Sequence, residues 1–128
     1  MSSAPGSRNG LRWTLSVEQQ RVDDVLLIEP HGRMSSETSP QLTEALSIAI
    51  AHGESRLIVD LAGVDYVSSA GLIALDALSG RVALSGGRLV LCGLSDPVRL
   101  VFDLADLLSQ FTVVSDRNAA LELFGAGR

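Results

Sequence analysis

The chain has 128 residues, 46% hydrophobic and 20% charged, with 15 acidic against 10 basic side chains and a net charge of −5. That length and apolar share suit one domain with a real core and exclude intrinsic disorder for most of it. All ten basic residues are arginine, which removes every lysine-dependent chemistry, from phosphate loops to Schiff bases.

Residues 1–10 are small, polar and Gly/Pro-containing, and are expected to form a flexible tail ahead of a domain spanning 11–125. Trp13-Thr-Leu-Ser-Val17 alternates apolar and polar residues, the period of a strand with one covered face. Val25-Leu-Leu-Ile28 is a continuous apolar run closed by Pro30 and Gly32, and Val22-Asp-Asp24 suits a hairpin between the two. Ser39 as N-cap with Pro40 behind it opens a helix whose inner face carries Leu42, Ala45, Leu46, Ala49 and Ile50. Gly53 closes it. Leu57-Ile-Val59 reads as a buried strand, followed by Val64-Asp-Tyr-Val67 and the tandem serines.

A second helix is predicted from Ser69 or Ala70 to Leu84, its inner stripe formed by Leu72, Leu75, Leu78 and Val82. Arg88-Leu-Val-Leu-Cys92 supplies a strand, and Ser95-Asp-Pro97 opens a third helix with Val98, Val101, Phe102 and Ala105 inward. A strand over Phe111–Val114 and a helix over Asn118–Phe124 complete the chain. The order implies a mixed α/β fold with a mostly parallel sheet of about five strands, begun by an antiparallel hairpin, with helices packed on it.

Ser68 and Ser69 follow a strand and a short loop and begin a helix, where free N–H groups and the positive end of the helix dipole favour an oxygen ligand. Capping alone accounts for one such serine, at about 1 kcal/mol against alanine. A hydroxyl held there can also accept phosphate without harm to the domain, while the added charge disturbs any partner packed over the loop. Gly71 behind the serines lets a partner approach closely, or simply allows tight helix–strand packing.

The remaining reactive residues point to structural roles. Cys92, the single cysteine, reads as a small buried hydrophobe with no disulfide partner. His31 is placed in a loop and His52 at a helix end, too far apart in sequence for a metal site. Ser85-Gly-Gly-Arg88 precedes a strand, which makes it a turn and not a phosphate loop. Asp60 and Asp65 flank the serine loop, read first as solvated charges and otherwise as residues that shape a partner surface. The acidic balance and scattered arginines argue against nucleic acid. The N-terminus lacks the apolar core of a signal peptide, and no apolar run nears the about 20 residues of a membrane helix. A cytoplasmic, non-enzymatic protein without cofactor or metal is expected.

Gly32-Arg-Met-Ser35, Leu57-Ile-Val-Asp-Leu61, Val64-Asp-Tyr-Val-Ser-Ser-Ala-Gly-Leu72, Leu89-Val-Leu-Cys-Gly-Leu-Ser95 and Val98-Arg-Leu-Val-Phe102 together resemble a STAS domain. More narrowly, the chain is similar to the stand-alone bacterial anti-sigma factor antagonists, over about Leu11 to Phe124. The resemblance implies a partner switch. Such a protein binds an anti-sigma factor that is also a GHKL-type serine kinase, releases the sigma factor, is phosphorylated on one serine, and is reset by a serine phosphatase. Aligning the family's Asp-Ser-Ser/Thr-Gly-Leu on Gly71-Leu72 makes Ser69 the acceptor, with Ser68 the second choice. Ser68 then stands where the family has aspartate, and Ser35 where many members do. The implied partner surface comprises the loop of Arg33, Met34, Ser35 and Ser36, with Ser68, Ser69, Gly71, Ser95 and Asp96. Two other readings compete: an unphosphorylated STAS scaffold in a sensory or transport assembly, and a small nucleotide-binding or hydrolytic protein, which the absent lysine opposes.

Overall fold

A computed structural model of the chain describes residues 15–127. The expected tail and the first two residues of the Trp13–Val17 strand lie outside them. Strands β1 (Leu15–Val22) and β2 (Val25–Met34) form the antiparallel hairpin. They are followed by α1 (Ser39–Ala51), β3 (Arg56–Asp60), β4 (Val64–Val67), α2 (Ser69–Leu84) and β5 (Arg88–Cys92). Helix α3 (Asp96–Leu104), a 3-10 turn (Leu108–Gln110), β6 (Thr112–Val114) and α4 (Arg117–Leu123) complete the order. The hairpin turn needs a left-handed residue, and Asp23 supplies it at φ 55°; aspartate tolerates that region better than most side chains.

The six strands make one sheet in the order β1-β2-β3-β5-β6, with β4 also paired to β2. All pairings but β1–β2 are parallel. Strand β2 divides its parallel edge between two partners: Leu26–Ile28 pair with β3, and Gly32–Met34 with β4. Pro30 falls in the gap, where its missing N–H removes no parallel ladder bond. The sixth strand, β4, was not expected. Between Gly32 and Arg33 it advances two residues to one, which makes Asp65 a bulge. Val64 and Val67, three apart, are therefore both buried, and the period-2 signal is erased. His31, expected in a loop, lies in β2, because the strand continues past Pro30 to Met34.

The alternation along the buried strands sorts their side chains onto two faces. Leu26, Ile28, Leu57, Val59, Leu89 and Leu91 face α1, α2 and α3 through Leu42, Leu46, Leu72, Leu75, Leu78, Val82, Val98 and Phe102. Val25, Leu27, Ile58, Val90 and Cys92 face α4 through Ala120, Leu121 and Phe124. Apolar burial of this kind stabilises by about 25 cal/mol per Å². Ala105, expected inward, is exposed because α3 ends at Leu104. Ser39 does not cap α1: Thr38 takes the N-cap position, and its hydroxyl donates instead to the carbonyl of Arg33.

Candidate functional site

Parallel strands place the ends of β2, β4 and β5 on one edge of the sheet, the edge where open α/β sheets present their loops to ligands. Three connections come together there: residues 35–38 between β2 and α1, Ser68 between β4 and α2, and residues 93–95 between β5 and α3. The first is tied into a compact turn by Thr38, whose Oγ1 accepts from the Ser35 N–H at 2.9 Å and lies 3.3 Å from Ser35 Oγ. The Ser35 carbonyl accepts from the Ser39 N–H at 2.8 Å. The second loop is joined to the first by the backbone: the Ser68 N–H donates to the Met34 carbonyl at 2.8 Å.

The two serines have different work. Ser68 Oγ accepts from the Gly71 N–H at 3.2 Å, so it caps α2 and is partly buried. Ser69 is the first helical residue and is exposed. Its hydroxyl stands at the positive end of a sixteen-residue helix. Gly71 is required by packing: a Cβ there would sit 3.1 Å from the Met34 carbonyl oxygen and 3.2 Å from Val67 Cγ1.

The loop residues expected to meet a partner divide sharply. Met34 is fully buried and Ser35 nearly so, which corrects the expectation that their side chains form a partner surface. They pack inward, because Met34 fills the core under the α2 N-terminus and the Ser35 hydroxyl is turned to Thr38. Ser36 is exposed, and the Arg33 guanidinium lies over the Tyr66 ring at 4.3 Å. Ser95 is the N-cap residue of α3, with its Oγ buried and unpaired, and Asp96 is exposed in the first turn. Helix α3 packs against β4, but among the described residues no hydrogen bond links Ser95 or Asp96 to the serines.

Three contributors were not read from the sequence. Glu37 brings a carboxylate to the β2–α1 loop, two residues beyond Ser35. It is held below the usual carboxylate range by its own backbone N–H and by the Ser35 and Ser36 hydroxyls. Tyr66 is exposed on β4 opposite Arg33. An open groove of about 310 Å³ runs beside the start of α2, lined by Ser69, Leu72, Val101, Leu104 and Ala105.

Elsewhere the reactive groups are occupied. His31 approaches Glu18 at 3.5 Å and covers Gly63, while His52 Nδ1 lies 2.8 Å from the Ile48 carbonyl oxygen. Burial first, and Asp60 second, push the Cys92 thiol up to about 12, so it stays protonated. Asp60 is not a solvated charge. It is buried, accepts from the Ala62 N–H at 3.0 Å, and pairs with Arg117 at 3.0 Å. Arg117 also pairs with Glu29, and the two carboxylates raise its pKa against the opposing effect of burial. Among the described residues no His/Cys/Asp/Glu cluster could hold a metal ion. No helix of these residues is long and apolar enough to cross a membrane. Among the described residues neither serine is hydrogen-bonded to a histidine or carboxylate, and Ser69 presents its hydroxyl to solvent.

Known proteins share this fold. Residues 16–120 match the sequence model of the STAS domain. BtrV of Bordetella bronchiseptica, named provisionally as an anti-sigma factor antagonist, is 34% identical over 110 residues, covering 86% of this chain and 95% of its own. The crystal structure of an anti-sigma factor antagonist from Mycobacterium paratuberculosis superposes with a TM-score of 0.78 at 22% identity, over 85% of this chain and 92% of that one. The phosphorylated form of the Bacillus cell fate determinant SpoIIAA has the same fold, with a TM-score of 0.65 at 18% identity, over 84% and 99%. With the element order, the serine at the start of α2 and these matches in agreement, the chain belongs to the STAS domain family of anti-sigma factor antagonists.

Proposed function

We propose that this chain is a cytoplasmic partner switch. Unmodified, it binds a GHKL-type serine-kinase anti-sigma factor and frees the sigma factor; phosphorylated at Ser69, it lets go; a serine phosphatase restores it. The observation that carries the reading is the division of labour between the serines: Ser68 is engaged as the cap of α2, and Ser69 is exposed at its first position. A phosphate there gains from the helix dipole within the domain. The same phosphate repels or desolvates whatever packs on the edge. The phosphorylated relative fits the reading, and Glu37 offers the β2–α1 loop a carboxylate where Ser35 does not.

Incubation with the anti-sigma kinase and ATP, followed by phosphopeptide mapping, is expected to label Ser69 and to fail with Ser69→Ala. Label that persists in Ser69→Ala moves the acceptor to Ser68 or beyond. Ser69→Asp is expected to bind the anti-sigma factor at least tenfold more weakly than wild type by calorimetry, roughly the 1.4 kcal/mol of one lost charge-sensitive contact. Equal affinity would replace the switch by the unphosphorylated scaffold reading.

A further inference from the structure

Helix α2 is apolar on both of its faces. Leu72, Leu75, Leu78 and Val82 turn to the sheet, as the inner stripe of a surface helix must. The opposite side of such a helix is ordinarily polar, yet here Ile73, Ala77, Gly80 and Leu84 run along it, all exposed. Ile73 is 69% exposed and Leu84 91%. Gly80 stands in the middle of this stripe. A glycine inside a helix weakens it, and a Cβ there would meet nothing within 4 Å, so the isolated domain gains nothing from its absence. A second helix laid along the stripe does gain, because small residues at the centre let two backbones come close. The intervals of four, three and four residues are those of a coiled-coil seam.

We propose that this face of α2 pairs with the same face of a second copy of the chain, the two α2 helices lying parallel. The charges select both the occupant and the direction. With Ile73 and Gly80 at the d positions of a heptad and Ala77 and Leu84 at a, Asp76 falls at g and Arg81 at the following e. In a parallel pair each g residue faces the following e residue of the other helix, so Asp76 meets Arg81 of the second copy, and symmetry makes the contact twice. In an antiparallel pair g faces g and e faces e, which sets aspartate against aspartate and arginine against arginine. Both side chains are exposed, and among the described residues neither has an ion-pair partner within the domain. Arg81 donates to Ser47 Oγ at 2.8 Å, which steadies it at the flank of the stripe. The sixteen-residue helix offers a seam about 24 Å long. That is small beside the about 800 Å² per partner of a standard interface, so the pair is transient, with a Kd of about 0.1 mM. Parallel pairing stands both Ser69 hydroxyls at one end of the dimer, side by side. It requires nothing of the partner switch, and its failure would leave the role of Ser69 untouched.

Sedimentation velocity of the purified chain between about 10 μM and about 1 mM tests the pairing. Wild type is expected to shift from monomer to dimer across this range, and Leu84→Glu and Ala77→Glu to stay monomeric throughout. Asp76→Arg and Arg81→Asp should each weaken the dimer about tenfold, and the double variant carrying both exchanges should return to within about threefold of wild type. Leu123→Glu, at an exposed leucine on α4 across the sheet, should dimerise as wild type does. Circular dichroism at the lowest concentration should show all variants folded, since every altered side chain is exposed. A wild-type chain that stays monomeric at about 1 mM overturns the proposal, as does a dimer that persists in Leu84→Glu and Ala77→Glu or is lost equally in Leu123→Glu. Single charge exchanges without effect, or a double exchange without recovery, overturn the parallel pairing of Asp76 with Arg81.

Discussion

At the scale of single residues, adjacent serines of the same chemistry become a capping hydroxyl at Ser68 and an exposed one at Ser69. Ser68→Ala removes the side-chain acceptor for the Gly71 N–H. It is expected to cost about 1 kcal/mol, a fall in Tm of roughly 3–6 °C for a domain of this size. Ser69→Ala breaks no hydrogen bond within the domain and should stay within about 0.5 kcal/mol of wild type. Thermal denaturation followed by circular dichroism checks both; a larger loss in Ser69→Ala would reverse the assignment. That one of the pair caps the helix was legible in the sequence, since a serine before an apolar helical stripe is a start signal. The sequence left open which one, and the bond from the Gly71 N–H to Ser68 Oγ decides it. The burial of Met34 and Ser35 was not legible, because a Gly-Arg-Met-Ser run followed by polar residues looks like surface. It becomes interior only because α2 starts directly above it.

At the scale of elements, α2 carries glycines with opposite meanings. Gly80 lies on the exposed face in mid-helix, and a Cβ there would meet nothing within 4 Å. Gly80→Ala is therefore expected to stabilise the protein by about 0.5–1 kcal/mol through backbone entropy and helix propensity. Gly71 faces the Met34 carbonyl and the stiff Val67 side chain at 3.1–3.2 Å. Gly71→Val must push the α2 N-terminus off β2 and β4 and should destabilise by about 1–3 kcal/mol. Urea unfolding of both variants reads the contrast; a stable Gly71→Val would show that α2 can shift on the sheet. Most elements were readable because their apolar spacing is regular. Strand β4 was not, since the bulge at Asp65 puts its two buried valines three residues apart. The groove was missed for a related reason. Val101 and Ala105 fit the inner stripe of α3 by spacing, yet Val101 is only half-buried and Ala105 lies past the helix end.

At the scale of the whole molecule, the C-terminal helix is fastened to the sheet across long sequence separations. Arg117, the first residue of α4, bonds Asp60 at the end of β3 and Glu29 in β2, which lie 57 and 88 residues earlier. At the other end of α4, Arg56 donates to the Phe124 carbonyl, stacks at 5.2 Å over the Phe124 ring, and pairs with Asp24. Arg117→Ala leaves two largely buried carboxylates without their cation. The loss is expected to be about 2 kcal/mol, below the full cost of breaking a buried pair because the guanidinium is 37% exposed and partly screened. Arg117→Lys should recover only part, since an ammonium cannot address both carboxylates as a planar fork does. Chemical denaturation of the two variants measures this; full recovery by lysine would show that charge alone matters. No sequence signal pairs residues so far apart, which is why Asp60 read as a solvated charge. The divided edge of β2 has a consequence of its own. One strand serves two neighbours: its first half pairs with β3, its last three residues with β4 below the helix-start serines, with a proline and a register shift between them. Such a seam lets the edge that carries the serines be rewritten, by insertion, bulge or loop replacement, while the pairing of β2 with β3 keeps its alignment. It is a joint along which one scaffold can be refitted for different partners.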